Sequence, residues 1–139
     1  MTPHLTIVLP FPPSVNHYWL NRIAETKAGR KYVQTYISAA GKAFKRKVGR
    51  AVRIQLGQQP GPIMGNCRLY VALHAPDKRR RDVDNYAKAL LDSLTEAGVW
   101  ADDSQIQDLR LVWGAVLPGG KAVVTIRQMP AAMVQGVLA

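Results

Sequence analysis

The strongest constraint on the fold of this chain is an apolar stripe that repeats at helical spacing in its second half. The stripe consists of Val83, Ala87, Leu90, Leu91 and Leu94. Gly98 follows it at the position of a C-terminal stop, and Asp82 or Asp84 is a candidate N-cap. The pattern therefore predicts an amphipathic helix over residues 83–96, with its apolar face against a core.

Similar patterns predict the other elements. A second helix, with Ser38 as its N-cap, runs to about Leu56. Alternating or β-branched runs predict four strands, at residues 5–9, 67–74, 106–117 and 122–128. The last two strands are joined by Pro118-Gly119-Gly120, which is typical of a hairpin. The order β-α-β-α-β-β predicts an α/β (α+β) fold in which helices flank a mixed sheet.

Two segments show no clear period. Residues 16–37 mix aromatic and cationic side chains, and we expect either a hairpin or a mobile loop there. Residues 129–139 are a short apolar tail that either packs on a partner or is disordered. The sequence contains no internal repeat, and 139 residues with 47% hydrophobic side chains suffice for one core. We therefore predict a single domain over residues 1–139.

The charge balance predicts a nucleic-acid partner. The chain carries 19 Lys and Arg against 9 Asp and Glu, a formal net charge of +10, and such a surface attracts polyanions through counterion release. No apolar run is long enough to cross a bilayer and the start lacks the pattern of a secretory signal, so we expect a cytoplasmic protein without a membrane partner. The single cysteine, Cys67, excludes an internal disulfide and a cysteine-rich zinc site.

The cations concentrate in the first half, where residues 1–70 contain 11 basic side chains and one acid, Glu25. In the predicted helix 38–56, one side is apolar and consists of Ala40, Phe44, Val48 and Ala51. The opposite side is basic and consists of Lys42, Lys45, Arg46, Arg50 and Arg53. Charged helix faces are commonly only solvated surface, but no acid balances this one, so contact with a nucleic-acid backbone is an equal alternative.

The segment 78–85 carries the chemistry. Asp82 and Asp84 follow directly after four cations, which are Lys78, Arg79, Arg80 and Arg81. In an extended segment residues i and i+2 point to the same side, so the two carboxylates can hold one hard cation, Mg²⁺ or Mn²⁺, against a phosphate. Acids at a helix start are also favoured by capping and by the helix dipole. The neighbouring cations favour the interpretation as a nuclease site.

Two features extend this candidate site. Asp102 and Asp103 follow the helix, and they supply a third ligand if their turn folds back beside the first residues of the helix. Lys88 lies four residues after Asp84. Three roles are open to it: an i,i+4 ion pair with Asp84, a contact to a phosphate, or stabilisation of charge on the scissile phosphate.

Several stretches of the chain match one family pattern. They are residues 9–16 (LPFPPSVN), residues 79–85 (RRRDVDN), Lys88 and residues 97–104 (AGVWADDS). Together they closely resemble the RusA family of Holliday junction resolvases from bacteria and their phages, and the resemblance extends from about Leu5 to Met129. Residues 16–37 depart from the family pattern.

The resemblance implies a homodimeric, Mg²⁺-dependent endonuclease that nicks two opposed strands of four-way junction DNA, with Mn²⁺ as a substitute and no small-molecule cofactor. By position, Asp82, Asp84 and Asp103 would be the catalytic, metal-binding carboxylates, and Lys88 the catalytic lysine. Asp102 matches a neighbouring acid on which the family depends less.

On this hypothesis the basic residues divide their tasks. The cations of helix 38–56 would bind junction arms through phosphates, and Lys78 to Arg81 would draw the scissile backbone to the metal. Four aromatic residues are candidates for stacking on unpaired bases or for the core or a dimer contact: Tyr18, Trp19, Tyr32 and Tyr36. Two other functions fit the same sequence, a non-catalytic nucleic-acid-binding protein and a nuclease for flaps or forks.

Overall fold

The structure is a computed structural model that describes residues 4–57 and 62–130. The elements in chain order are β1 (His4–Leu9), α1 (Val15–Tyr18), β2 (Trp19–Glu25), β3 (Lys31–Ile37), α2 (Ala39–Leu56), β4 (Cys67–His74), a 3₁₀ helix (Val83–Tyr86), α3 (Ala87–Glu96), a second 3₁₀ helix (Asp103–Gln105), β5 (Ile106–Trp113) and β6 (Lys121–Gln128). Residues 58–61, which follow α2, and residues 131–139 of the predicted tail lie outside the described residues.

A four-stranded mixed sheet with the order β1-β6-β4-β5 forms the centre of the fold. β6 is antiparallel to β1 and β4, whereas β5 is parallel to β4. Along β4 alternate side chains are buried, as the sequence pattern predicts: Cys67, Leu69, Val71 and Leu73. These residues share one core with the apolar sides of α2 and α3. The alternate side chains of β4, on the opposite face of the sheet, are exposed or half-buried. The predicted mixed α+β class is confirmed.

The predicted hairpin between the last two strands is wrong. β6 does not pair with β5 but lies between β1 and β4, so residues 114–120 cross the end of β4. Backbone hydrogen bonds hold the crossing, from Gly114 N–H to Leu73 O and from Leu117 N–H to Ala75 O. Gly119 has a positive φ of 80°, so the sequence does form a turn. Turn residues specify that the chain reverses, but they do not specify which strand it pairs with.

Residues 16–37 form the hairpin that was one of the two alternatives. The short helix α1 is followed by β2 and β3, which pair with each other as a separate two-stranded sheet. The predicted order of elements therefore lacked α1 and one hairpin. In addition, β5 ends at Trp113 rather than at residue 117. The helix predicted over residues 83–96 begins as a 3₁₀ turn, with Asp82 at the N-cap position but without a side-chain cap hydrogen bond.

Helix α2 begins where the sequence predicts, because the Ser38 side chain accepts a hydrogen bond from Gly41 N–H at 2.9 Å. Its buried side is rotated from the predicted stripe. Ala40 is exposed, and the buried residues are Gly41, Phe44, Val48 and Val52. The rotation follows from Gly41, which lets α2 approach the backbone of α1 closely. No helix among the described residues is long and apolar enough to cross a membrane.

This close approach predicts opposite effects for two glycine substitutions in α2. A Cβ on Gly41 would lie 2.7 Å from Ile37 Cγ2 and 2.9 Å from Tyr18 Cδ1, so Gly41→Ala should lower the free energy of unfolding by about 1–3 kcal/mol. A Cβ on Gly49 meets nothing within 4 Å, so Gly49→Ala should raise it by about 0.5–1 kcal/mol. Urea unfolding of both variants tests the packing, and equal effects would contradict it.

Candidate active site

Three aromatic rings from distant parts of the chain meet at the C-terminal edge of β4 and β5. Phe11 follows β1, Tyr86 ends the first 3₁₀ helix and Trp113 ends β5. The Phe11 ring centroid lies 5.1 Å from that of Tyr86 and 6.4 Å from that of Trp113, and the last two are 5.8 Å apart. Such clusters stabilise one arrangement of their backbones. The cluster therefore fixes the 3₁₀ turn that carries Asp84 to this edge of the sheet.

Arg81 joins the basic segment to this cluster. Its guanidinium lies 5.6 Å from the Phe11 ring centroid and 2.9 Å from Asp77 Oδ1, and its side chain is only 10% exposed. It also donates hydrogen bonds to the backbone oxygens of Asp77 and Arg79. Hydrogen bonds from Arg81, and then from Arg79, lower the pKa of Asp77 to about 2. Asp77 is thus ionised except in strong acid, and the ordering it gives this loop is lost only as the pH falls toward 2.

Asp82 and Asp84 lie next to this anchored loop and are exposed. Among the described residues neither side chain has a hydrogen-bond or ion-pair partner. Asp82 lines a small pocket with Ser14, Arg80 and Asn85. Lys78 and Arg80 are exposed as well. The predicted site residues of segment 78–85 therefore form one open surface, apart from Arg81, which points into the fold.

Lys88 lies on the first turn of α3, where 47% of its side chain is exposed. Its Nζ is 3.1 Å from Asp92 Oδ1, one helical turn further on. The ion pair between Lys88 and Asp84, one of the three roles that the sequence leaves open, does not form in the described part of the chain. Asp92 is itself only 19% exposed. It lies near the buried Tyr18 hydroxyl, whose pKa is raised well above its usual range by burial and then by the charge of Asp92. Lys88 is thus held by a carboxylate that borders the core.

Asp103 does not lie near the other two aspartates within one chain. Helix α3 crosses from the C-terminal edge of β4 to the N-terminal edge of β5, and its 10 residues span about 15 Å. Trp100, just before the Asp102-Asp103 turn, pairs with Ile63, which precedes β4. The turn is therefore at the opposite edge of the sheet from Asp82.

Asp102 has a local structural role in this turn. Its Oδ1 accepts a hydrogen bond from Ser104 N–H at 3.0 Å, and this bond is the main cause of its lowered pKa. The Gln105 side chain completes a capping box by accepting from Asp102 N–H at 2.9 Å. Its amide also donates to the backbone oxygens of Ile63 and Gly65. The turn is thereby fixed to the segment before β4, and Asp103 is half-buried beside it.

These positions decide how well the residues fit a metal. Asp82 and Asp84 offer free carboxylate oxygens, the donors that Mg²⁺ prefers. Among the described residues of one chain, however, no group of three or more His, Cys, Asp or Glu side chains could hold a metal ion. Within one chain, therefore, the three aspartates do not come together at one site.

The predicted basic face of α2 lines a groove between α2 and α3. Five cations on α2 form its wall: Lys42, Lys45, Arg46, Arg50 and Arg53. From α3 the groove is bordered by Ser93 and Glu96, and Glu96 Oε2 lies 2.6 Å from Lys45 Nζ. The other four cations have no ion-pair partner among the described residues. This groove is a continuous cationic surface of the kind that binds a phosphate backbone.

Comparison with known proteins connects these features to one family. Residues 10–127 match the family described as endodeoxyribonuclease RusA. The chain is 37% identical over 127 residues to the crossover junction endodeoxyribonuclease RusA of Escherichia coli (strain K12), covering 89% of this chain and 94% of the relative. It is 40% identical over 124 residues to the corresponding protein of Enterobacteria phage HK97, covering 88% and 92%. This chain belongs to the RusA family.

A third relative, the crossover junction endodeoxyribonuclease of Enterobacteria phage 82, is 38% identical over 126 residues, which cover 88% of this chain and 93% of the relative. The RusA match begins at residue 10, so it includes Phe11 of the aromatic cluster and Ser14 of the pocket. The sequence patterns predicted no role for Phe11, Tyr86 or Trp113. The Pro-Phe-Pro-Pro run was the available signal, because prolines that follow a strand directly fix the position of the residue between them.

Proposed function

We propose that this protein is a Holliday junction resolvase that works as a homodimer and depends on a divalent metal ion, with Mg²⁺ as the natural ion and Mn²⁺ as a substitute. The observation that carries the proposal is the position of Asp82 and Asp84. Both carboxylates are exposed, without partners among the described residues, and follow a basic loop that is anchored by Arg81. Membership of the RusA family supports the same reaction, hydrolysis of a DNA phosphodiester.

Each residue then has a distinct task. Asp82 and Asp84 would hold the metal ion, which stabilises charge on the phosphate oxygens during hydrolysis. Lys88, on the helix that starts beside them, would contact the scissile phosphate and offset its charge. Lys78 and Arg80 would draw the DNA backbone to this edge of the sheet. Arg81 instead keeps the loop in place through Asp77 and Phe11.

The location of Asp103 supports a dimer. Within one chain it lies across the sheet from Asp82, so the third carboxylate of the site would be the partner subunit's Asp103. A twofold homodimer would then contain two such shared sites. Two equivalent sites are also what symmetric nicking of opposed strands in a four-way junction requires. The groove between α2 and α3 would bind a junction arm in each protomer.

The first test is cleavage of an immobile four-way junction, labelled on each strand in turn, with plain duplex, flap and fork DNA as comparisons. We expect paired nicks in opposed strands of the junction, loss of cleavage in EDTA, and a rate lowered about a hundredfold or more by Asp82→Asn. Binding by the variant should persist. Tight junction binding without cleavage in either Mg²⁺ or Mn²⁺ would show that the protein is a non-catalytic DNA-binding protein. Faster cleavage of flap or fork DNA than of the junction would show that its substrate is a different branched DNA.

A mixing experiment tests the shared site. Asp82→Asn and Asp103→Asn homodimers should each be inactive, but a mixed dimer places both substitutions in one site and leaves the other site intact. With random exchange of subunits about half of the dimers are mixed, so about a quarter of all sites are intact. The mixture should therefore cleave at about a quarter of the wild-type rate. Mixing Asp82→Asn with Asp84→Asn is the control, because both residues lie in the same protomer and no intact site forms. Equal recovery in the two mixtures would contradict the shared site.

The basic groove predicts a specific salt dependence of DNA binding. Replacing Arg46 and Arg50 by Ala should weaken binding to junction and duplex alike and reduce the slope of log K against log salt by about 2. Lys47→Ala is the matched control, since Lys47 lies on α2 outside the residues that line the groove. The measurement is fluorescence anisotropy in EDTA over a salt series. Lost cleavage with unchanged binding would refute the groove as the DNA contact.

A further inference from the structure

The hairpin formed by β2 and β3 extends away from the core. Its base is held by Trp19 and Ile37, which pair with each other across the strands and pack against the core. Beyond this pair, nearly all residues of both strands are half-exposed or exposed. A two-stranded hairpin with both faces in water is marginally stable on its own. The hairpin is therefore an arm that offers both of its faces for contact with a partner.

Polar cross-strand contacts keep this arm in register. Thr35 Oγ1 donates to Asn21 Oδ1 at 2.7 Å, and Arg22 Nε donates to Gln34 Oε1 at 2.7 Å. The Arg22 guanidinium also lies 4.8 Å from the Tyr36 ring centroid. The strands are therefore ordered before any partner binds, and their exposed side chains have defined positions.

The most exposed part of the arm is apolar. Ile23 and Val33 are directly opposite each other in the register, and they are 75% and 69% exposed. Since side chains alternate along a strand, both lie on the same face of the hairpin. This directly paired, β-branched apolar couple has most of its surface in water, so it is a candidate contact surface for a partner.

Cations lie at the turn end of the arm and on both of its faces, with Arg22 on the face opposite to the apolar pair. Between residues 19 and 37 there are four basic side chains, Arg22, Lys27, Arg30 and Lys31, and one acid, Glu25. Lys27 and Arg30 lie at the turn end of the arm. Apolar wedges flanked by basic residues are how DNA-binding ribbons enter between base steps while their cations hold the phosphates.

We infer that the β2–β3 hairpin is an arm that inserts Ile23 and Val33 between bases at the centre of the junction. The inference rests on the proposed function, because four-way junction DNA offers bases at its crossover that separate at low cost. Lys27, Arg30 and Lys31 would hold the neighbouring phosphates, and Arg22 would face the DNA backbone from the other side of the hairpin. The alternative occupant, a second copy of the arm, is opposed by charge, because two arms with this excess of cations repel each other.

The test places 2-aminopurine at the crossover of an immobile junction and measures its fluorescence in EDTA, where no cleavage occurs. Wild-type protein should raise the fluorescence, because insertion unstacks the base. The double variant Ile23→Thr/Val33→Thr keeps β-branched residues and all four cations. It should reduce the rise about threefold or more and increase Kd for the junction about tenfold, with an unchanged salt slope.

Two controls make the result specific. Val8→Thr changes a β-branched residue that is also exposed, at 44%, but lies on β1 of the main sheet, and it should behave as wild type. Light scattering of the double variant should show the same mass as wild type. A full fluorescence rise with the double variant would overturn the inference, as would its conversion to a smaller oligomer, which would assign Ile23 and Val33 to contact between subunits.

Failure of the proposed function has a different signature. If wild-type protein does not prefer the junction over duplex in EDTA, the substrate is wrong and the arm cannot act at a crossover. If wild-type protein binds the junction and raises the fluorescence, but the double variant does the same, the substrate stands and only the arm is refuted.

Discussion

Parallel pairing of β4 with β5 forces the chain between them to cross from one edge of the sheet to the other, and α3 makes that crossing. The basic loop, Asp82 and Asp84 lie where α3 begins, and the Asp102-Asp103 turn lies where it ends. The connection between two parallel strands begins at one end of the sheet and finishes at the other, so its first and last residues are separated by about the length of a strand. The separation of the acidic groups is therefore a property of the topology, and it is the reason that we propose a site shared between two subunits.

The aromatic cluster explains how a strongly basic loop keeps one conformation. Residues 78–81 repel one another, and an unanchored loop of this kind would extend into solvent. Arg81 is instead turned inward, where Asp77 neutralises its charge and the Phe11 ring covers its guanidinium. This arrangement leaves Lys78 and Arg80 outside. The loop thus separates one cation that maintains the structure from others that are available to DNA, although the sequence shows only a run of like charges.

The sequence predicted much of the fold because its local signals were strong. The Ser38 cap, the alternation in β4 and the helix α3 each depend on interactions within a few residues, and all three are confirmed. The predicted stripe of α3 is confirmed only in part, because Leu90 and Leu94 are buried but Ala89 and Ser93 are buried in place of Ala87 and Leu91. The pairing of the last strands was predicted wrongly, because a Pro-Gly-Gly turn is a local signal and strand pairing is not. The prediction that Ala40 lies on the buried side of α2 was wrong for a related reason. Helical spacing gives the periodicity of an apolar stripe, but it does not identify the neighbouring element against which the helix packs.

The sequence by itself determined the family, the excess of cations and the acidic residues that are candidates for metal binding, since these depend only on which side chains occur and in what order. Only the tertiary structure decided which of them meet. It paired Lys88 with Asp92, turned Arg81 into the fold, placed Asp103 across the sheet from Asp82 and left Ile23 and Val33 exposed on an arm. Distances between residues far apart in the chain are set by strand order and crossover direction, and these follow from the packing of the whole domain.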